Sequence, residues 1–311
     1  MQSKNSIRKL SWSEVITLIK RTFVEFFEEN SFFHGAALSY YTVFSMVPMI
    51  YLALLSVGKI LGQDKVLQMI NQLLHEQVGL EDSSGIMNFL KDVNFEKGNF
   101  ILNFIGIIVL LISSTALLSS LKTSINEFFD IKISIYDRKQ RVAHSLLSRL
   151  SSIVMLPVFG IVILVMYVGQ TVLISLGQTV FGELNNFEAF IMSSLEILIT
   201  IGMNVVLFTI IFKYLHDGSV LWKLALAGGL VTGILLFLGQ LLIKYYLKNH
   251  FFGSDAGVAG TLLVLLSWMY YSSQIIFLGA KFTKVYADLV GKSIAFYTRM
   301  KLKEEEKEAL L

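Results

Sequence analysis

Apolar residues along this chain gather into six long runs, at residues 36–58, 100–121, 150–176, 191–212, 224–243 and 257–280. About 20 consecutive apolar residues make a helix long enough to cross a bilayer core, so each run predicts a membrane-spanning helix. Ahead of them the pattern changes. Val15, Ile16, Leu18, Ile19, Phe23, Phe26 and Phe27 recur at helical spacing among charged neighbours, which predicts an amphipathic helix capped by Ser11 or Ser13. Such a helix packs under the bundle as an interfacial cuff, or serves as a membrane-surface or partner-docking helix. Between the first two runs, Val66, Ile70, Leu73 and Leu74 share one helical face. Ile86, Phe89, Leu90 and Val93 share another beyond Gly79 and Gly85, so residues 59–99 predict two short amphipathic helices.

Composition agrees with this reading. The chain is 54% hydrophobic and 16% charged with a mean hydropathy of +0.65, against roughly 25% charged residues in a soluble domain. The expected fold class is therefore all-α: a polytopic membrane bundle of six transmembrane helices with amphipathic interfacial helices. The expected organisation is a cytoplasmic amphipathic segment at 1–35, a membrane domain at 36–285 and a cytoplasmic charged tail at 286–311. The start lacks the apolar core of a cleaved signal peptide. Two prolines, Pro48 and Pro157, fall inside the first and third runs, where each predicts a fixed kink or a hinge.

The distribution of Lys and Arg sets the orientation. With the N-terminus inside, the inner segments carry 5, 6, 2 and 7 basic residues and the outer ones 4, 0 and 2, which together are all 26. The positive-inside rule then places both termini in the cytoplasm. Of the inner residues, Arg138, Lys139, Arg141 and Arg149 form a basic collar suited to anionic headgroups.

Polar residues inside the runs are the candidate chemistry. Glu196, Thr200 and Asn204 follow at intervals of four and share a helix face. An ionisable group in a span is a functional candidate unless it sits hydrated at the interface, and both readings stand for Glu196. Tyr40 and Ser45 on the first run, Asn103 on the second, and Tyr270, Tyr271 and Gln274 on the sixth complete the candidate cavity lining. Trp268, Tyr270 and Tyr271 lie too deep for an interfacial aromatic belt, which predicts that they face the bundle. Ala225, Gly229 and Gly233 predict a close helix contact.

Other chemistries find no support in the residues. Zero cysteines exclude disulfides and thiolate metal sites. The five histidines, His34, His75, His144, His216 and His250, are at least 34 residues apart, so they do not form the clustered ligand set of a metal-dependent nuclease. No GxxxxGK[ST] phosphate loop occurs. Neither a cofactor, a metal, a nucleic-acid partner nor an enzyme activity is expected.

Three stretches carry a family resemblance. AALSYYTVFSMVP, containing Tyr40, Ser45 and Pro48, LKTSINEFF, containing Asn126, and AGVAGTLLVLLSWMYYSSQIIFLGAKF, containing Gly257, Trp268, Tyr270 and Gly279, together resemble the YihY/BrkB family of bacterial inner-membrane proteins. The resemblance runs from His34 to Asp288. It implies six spans, cytoplasmic ends and an envelope role of transport type, with lipids or envelope precursors as substrate class. The family has also carried a ribonuclease label, which the scattered histidines oppose. Lys281 stands where the family pattern has an acid, Phe129 where it has Trp, and Ala256 where it has an aromatic. A lysine at 281 is expected to snorkel to the inner face. Two functions follow: a transporter or lipid translocation factor with a polar cavity between helices, or a non-transporting scaffold that anchors envelope protein partners.

Overall fold

The structure is a computed structural model that describes residues 8, 10–73, 87, 100–131, 169, 186–250, 257–292 and 294–296. Helix α1 covers Trp12–Glu28, α2 Ser31–Leu61 and α3 Gln63–Leu73. Helix α4 covers Phe100–Phe128, α5 Asn186–Tyr214, α6 Trp222–His250 and α7 Gly257–Leu289. The two-residue strands β1 (Gly218–Ser219) and β2 (Ala295–Phe296) pair antiparallel, Gly218 opposite Phe296 and Ser219 opposite Ala295.

Five of the six apolar runs fall on α2, α4, α5, α6 and α7, and the run at 150–176, with Pro157, lies outside the described residues. Among the described residues, three stretches are long and apolar enough to cross a membrane. They are Ser193–Tyr214, Trp222–Tyr246 and Leu262–Leu289, with mean hydropathies of 2.3, 2.1 and 1.5. Helix α2 continues through Pro48. The first predicted amphipathic helix of the 59–99 segment is α3; the second falls outside the described residues except for Met87.

Local chemistry explains where the helices begin and end. Ser11 is the N-cap of α1, and its N–H donates to Glu14 Oε2 at 2.7 Å, the reciprocal arm of a capping box. Gly62, the single residue between α2 and α3, has a φ of 92°, a left-handed conformation that glycine adopts without a Cβ penalty. Helix α4 closes with Asp130 N–H on Glu127 O at 2.9 Å and Ile131 N–H on Asn126 O at 2.8 Å. That is a Schellman motif with Asp130 in the left-handed position at φ 52°. The same pair of bonds ends α7, with Gly291 at φ 69° in the equivalent place.

The chain divides into two compact units. The first comprises Met1–Ser31, Lys122–Phe237 and Ile275–Leu311. Its core is aromatic: Phe128 stacks on Phe277 with ring centroids 4.9 Å apart and on Phe26 at 6.1 Å, so α1, α4 and α7 meet in one ring column. Around it small residues bring helices together. A Cβ at Gly233 would lie 2.8 Å from Val205 Cγ2, and one at Gly229 would lie 2.8 Å from Val205 O. The predicted small-residue face of α6 thus packs on α5. The second unit comprises Phe32–Leu121 and Leu238–Gln274. Val43, Leu265 and Trp268 form its buried cluster, with Ile70 of α3 and Ile243 of α6 packed against it. Trp268 therefore faces protein.

Candidate functional site

Helix geometry places Glu196, Thr200 and Asn204 in one line on α5, roughly 6 Å apart along the axis. Glu196 is exposed, while Thr200 and Asn204 are half-buried. Asn204 is the twelfth of the 22 residues of the Ser193–Tyr214 stretch, so at about 1.5 Å per residue it lies roughly halfway across. Its Nδ2 is buried and has no hydrogen-bond partner among the described residues. A buried amide donor left without an acceptor costs on the order of 1–3 kcal/mol. Hydroxyls nearby are satisfied within their helices: Thr209 Oγ1 donates to Val205 O at 2.6 Å.

In the second unit Tyr270 and Gln274 converge on one point. A Cβ at Gly35 would overlap Gln274 Nε2 and lie 3.3 Å from Tyr270 Cε2, so α7 lies directly on α2 there because residue 35 has no side chain. Ser273 Oγ lies 2.6 Å from Met269 O and 3.3 Å from Gly35 O. Tyr271 is half-buried, and Ser272 Oγ is buried with no partner among the described residues. Ser45 is buried and donates to Thr42 O at 2.8 Å. Tyr40 is exposed and packs its ring on Phe44 at 4.4 Å; it does not join Tyr270 and Gln274 at Gly35. The side chain of Asn103, on α4, and all of Arg138, Lys139, Arg141 and Arg149 lie outside the described residues.

The first unit also holds two charged assemblies that the sequence patterns do not announce. In one, Lys122 and Asn126, one turn apart on α4, both hold Asp217 in the connection between α5 and α6. Lys122 Nζ is 2.8 Å from Asp217 Oδ1, and Asn126 Nδ2 donates to Asp217 Oδ2 at 2.8 Å. The Asp217 N–H returns a bond to Asn126 Oδ1 at 2.9 Å. Next to it His216 is buried against Phe129, ring centroids 5.1 Å apart. The Gly218 N–H donates to its Nδ1 at 3.0 Å, which puts the imidazole proton on Nε2, 2.9 Å from Phe212 O. Burial pushes the pKa of His216 down to about 4, against the opposing pull of the Phe212 carbonyl and Asp217. The ring is neutral at physiological pH.

The other assembly corrects the expectation for Lys281. This lysine does not snorkel to solvent: it is 1% exposed, its Nζ pairs with Glu29 Oε1, and Asp130 Oδ1 stands 3.8 Å away. The physical reason is local neutralisation, because two acids reach the ammonium inside the protein and remove the drive toward water. Lys284 continues the chain of charges, 3.0 Å from Asp130 Oδ2 and 2.7 Å from Asp288 Oδ2. Burial raises the Glu29 carboxyl above the usual carboxylate range even though Lys281 pulls it down. Helix α1 is thereby tied to α7, and α4 to α7, by groups far apart in sequence.

These features define a helical membrane protein whose polar groups are grouped along α5, at Gly35 and in two charged assemblies. The sequence of the family described as "Virulence factor BrkB" matches residues 22–295. The chain belongs to this BrkB family, as the resemblance in its first, second and sixth runs implies. It is 22% identical over 269 residues to a UPF0761 membrane protein of Teredinibacter turnerae and 22% identical over 262 residues to one of Alkalilimnicola ehrlichii. The matches cover 86% and 82% of this chain but 60% and 54% of those relatives, so the chain spans little more than half the length of the curated relatives it matches. No solved structure matches it.

Proposed function

We propose that this protein is a six-span bacterial inner-membrane protein, both ends cytoplasmic, that moves a lipid or envelope precursor through a polar path between its helices. The observation that carries the reading is the buried Nδ2 of Asn204, without a hydrogen-bond partner among the described residues, halfway along a membrane-length stretch. Hydrocarbon offers no acceptor at that depth, so a buried donor retained there suits a headgroup oxygen that reaches it when the helices part during passage. Thr200 and Glu196 continue the line toward one end of the stretch. The membrane-spanning lengths, the family and the cytoplasmic side expected for the basic segments support the same reading.

The test is replacement of Glu196 and Asn204 together by Ala, with redistribution of a fluorescent phospholipid between leaflets measured in proteoliposomes. Loss of at least ~10-fold in rate is expected if the pair lines the path. Wild-type redistribution in the double variant would remove both residues from the mechanism. A second reading, a scaffold that holds envelope proteins without moving a substrate, is favoured by the tight seams at Gly228, Gly229 and Gly233. It predicts no redistribution by the wild-type protein above that of empty vesicles.

A further inference from the structure

Helix α1 has three sectors rather than two. At roughly 100° per residue, Leu18, Thr22 and Phe26 point in one direction, and these three are its buried residues. Trp12, Ile16, Ile19, Phe23 and Phe27 lie within an arc of about 80° beside that face, yet all five are exposed, Trp12 at 79% and Phe27 at 60%. The remaining arc carries Glu14, Thr17, Arg21, Glu25 and Glu28, with the exposed Val24 as its single apolar position. An amphipathic helix on a soluble protein needs a protein face and a water face. A third, wholly apolar sector requires a third environment.

We infer that α1 lies in the plane of the membrane at the boundary of protein, water and lipid, with Trp12, Ile16, Ile19, Phe23 and Phe27 inserted among the lipids of one leaflet. Continuity selects lipid as the occupant. Only Glu29 and Asn30 separate α1 from α2, which keeps the Phe27 end within about 10 Å of the helix read above as the first span. The orientation is fixed from the other side, since Phe26 stacks on Phe128 and Glu29 pairs with the buried Lys281. Held in this way, the apolar sector cannot roll inward. Its composition fits the level of the headgroup and acyl boundary, where tryptophan concentrates and an in-plane helix sinks its apolar side by about 5–10 Å. Lys20, at the edge between the apolar and polar sectors, has the long stem that lets an ammonium reach the headgroups.

The inference rests on the membrane reading above, and its test separates the two. The chain has no cysteine, so single cysteines can be placed at Ile16, Phe23 and Phe27 in the apolar sector, and at Thr17 and Glu28 in the polar one. A further cysteine at Leu230, exposed on α6, reports membrane insertion by itself. Each full-length variant is labelled with bimane and reconstituted into phosphatidylethanolamine and phosphatidylglycerol vesicles. Quenching is measured with shallow nitroxide lipids and with aqueous iodide. Labels at 16, 23 and 27 are expected to be quenched by lipid at least ~3-fold more than labels at 17 and 28, with the order reversed for iodide. Quenching of the apolar sector by iodide as strongly as the polar one overturns the inference. So does protection from both quenchers, which would mean that a second copy or another protein covers it. In either case lipid quenching at Leu230 would leave the membrane reading standing, and its absence would remove that reading as well.

Discussion

Asn126 holds Asp217 from both sides: its amide donates to the carboxylate at 2.8 Å, and its carbonyl accepts the Asp217 backbone N–H at 2.9 Å. Lys122 adds the charge, 2.8 Å away. One turn of α4 therefore fixes the connection between α5 and α6, and β1 follows at once. Removing Asp217 takes from the buried Lys122 ammonium the carboxylate 2.8 Å away, so Asp217→Ala is expected to destabilise by up to about 3–5 kcal/mol. Asn126→Ala should cost about 1–3 kcal/mol, because the aspartate keeps Lys122. Replacing Lys122 and Asp217 together is expected to cost less than the two single changes added. Melting temperatures of the three variants and the double variant in detergent check this, and simple additivity would show that the pair is not coupled.

His216 gives the fold a defined acid sensitivity. Its folded pKa of about 4 lies below the unfolded value of 6.5, so between those values the unfolded chain binds more protons and stability rises with pH. The contribution is fully present above about 6.5 and is lost progressively as pH falls to about 4, amounting to roughly 3 kcal/mol. Glu29 acts in the opposite sense. Its folded pKa is raised, so stability associated with its burial is present below the ordinary carboxylate value and lost as pH rises through the folded one. Melting temperature measured from pH 4 to pH 7 should therefore climb steeply in Glu29→Gln and become flatter in His216→Gln. An unchanged slope in His216→Gln would mean that the ring is already charged in the fold.

Asp130 is the one non-glycine residue with a positive φ among those described, and its side chain is 47% exposed beside Lys284. The left-handed conformation costs a residue with a Cβ roughly 1 kcal/mol relative to glycine. A partly exposed ion pair returns about the same or less. Asp130→Gly should therefore be close to neutral, whereas Asp130→Ala keeps the strain, loses the pairing and should fall about 1 kcal/mol below the glycine variant. Unfolding of the two variants side by side checks the difference; equal stability would show that the Schellman turn carries no strain.

The helices were legible in the sequence because hydropathy and period are local properties. The run at 191–212 and the line of Glu196, Thr200 and Asn204 can be read without knowing any neighbour. Charge partners cannot. Lys122 and Asn126 stand at a visible spacing of four, but Asp217 is 91 residues beyond Asn126, and Lys281 is 252 residues from Glu29. With no acid within six residues of it in sequence, Lys281 reads as a residue bound for the interface. The two apolar sectors of α1 likewise read as one face, since a sequence does not distinguish an apolar position that meets protein from one that meets lipid. Gly35 gave no signal of its own; only the placement of Tyr270 and Gln274 shows that a side chain there would collide.

The glycines of the first unit divide by what surrounds them, and substitution should separate them. A Cβ at Gly279 would overlap Thr232 Oγ1, and one at Gly228 would overlap Thr283 Oγ1. Both hydroxyls are committed to their own helices, Thr232 to Gly228 O and Thr283 to Gly279 O, each at 2.8 Å. The two glycines and two threonines thus form a reciprocal seam between α6 and α7, with little freedom to turn aside. Gly279→Ala and Gly228→Ala should each cost about 1–3 kcal/mol by overpacking. Thr232→Ala should recover most of the loss at Gly279, because the colliding oxygen is gone, while leaving Gly228→Ala unrescued. Gly202 provides the contrast: nothing lies within 4 Å of its added Cβ, so Gly202→Ala should stabilise α5 by up to about 1 kcal/mol through helix propensity. A thermal unfolding series with these variants decides the matter. Rescue of both glycine variants by Thr232→Ala would mean that the seam yields as a whole and that its contacts are not the pairwise ones described.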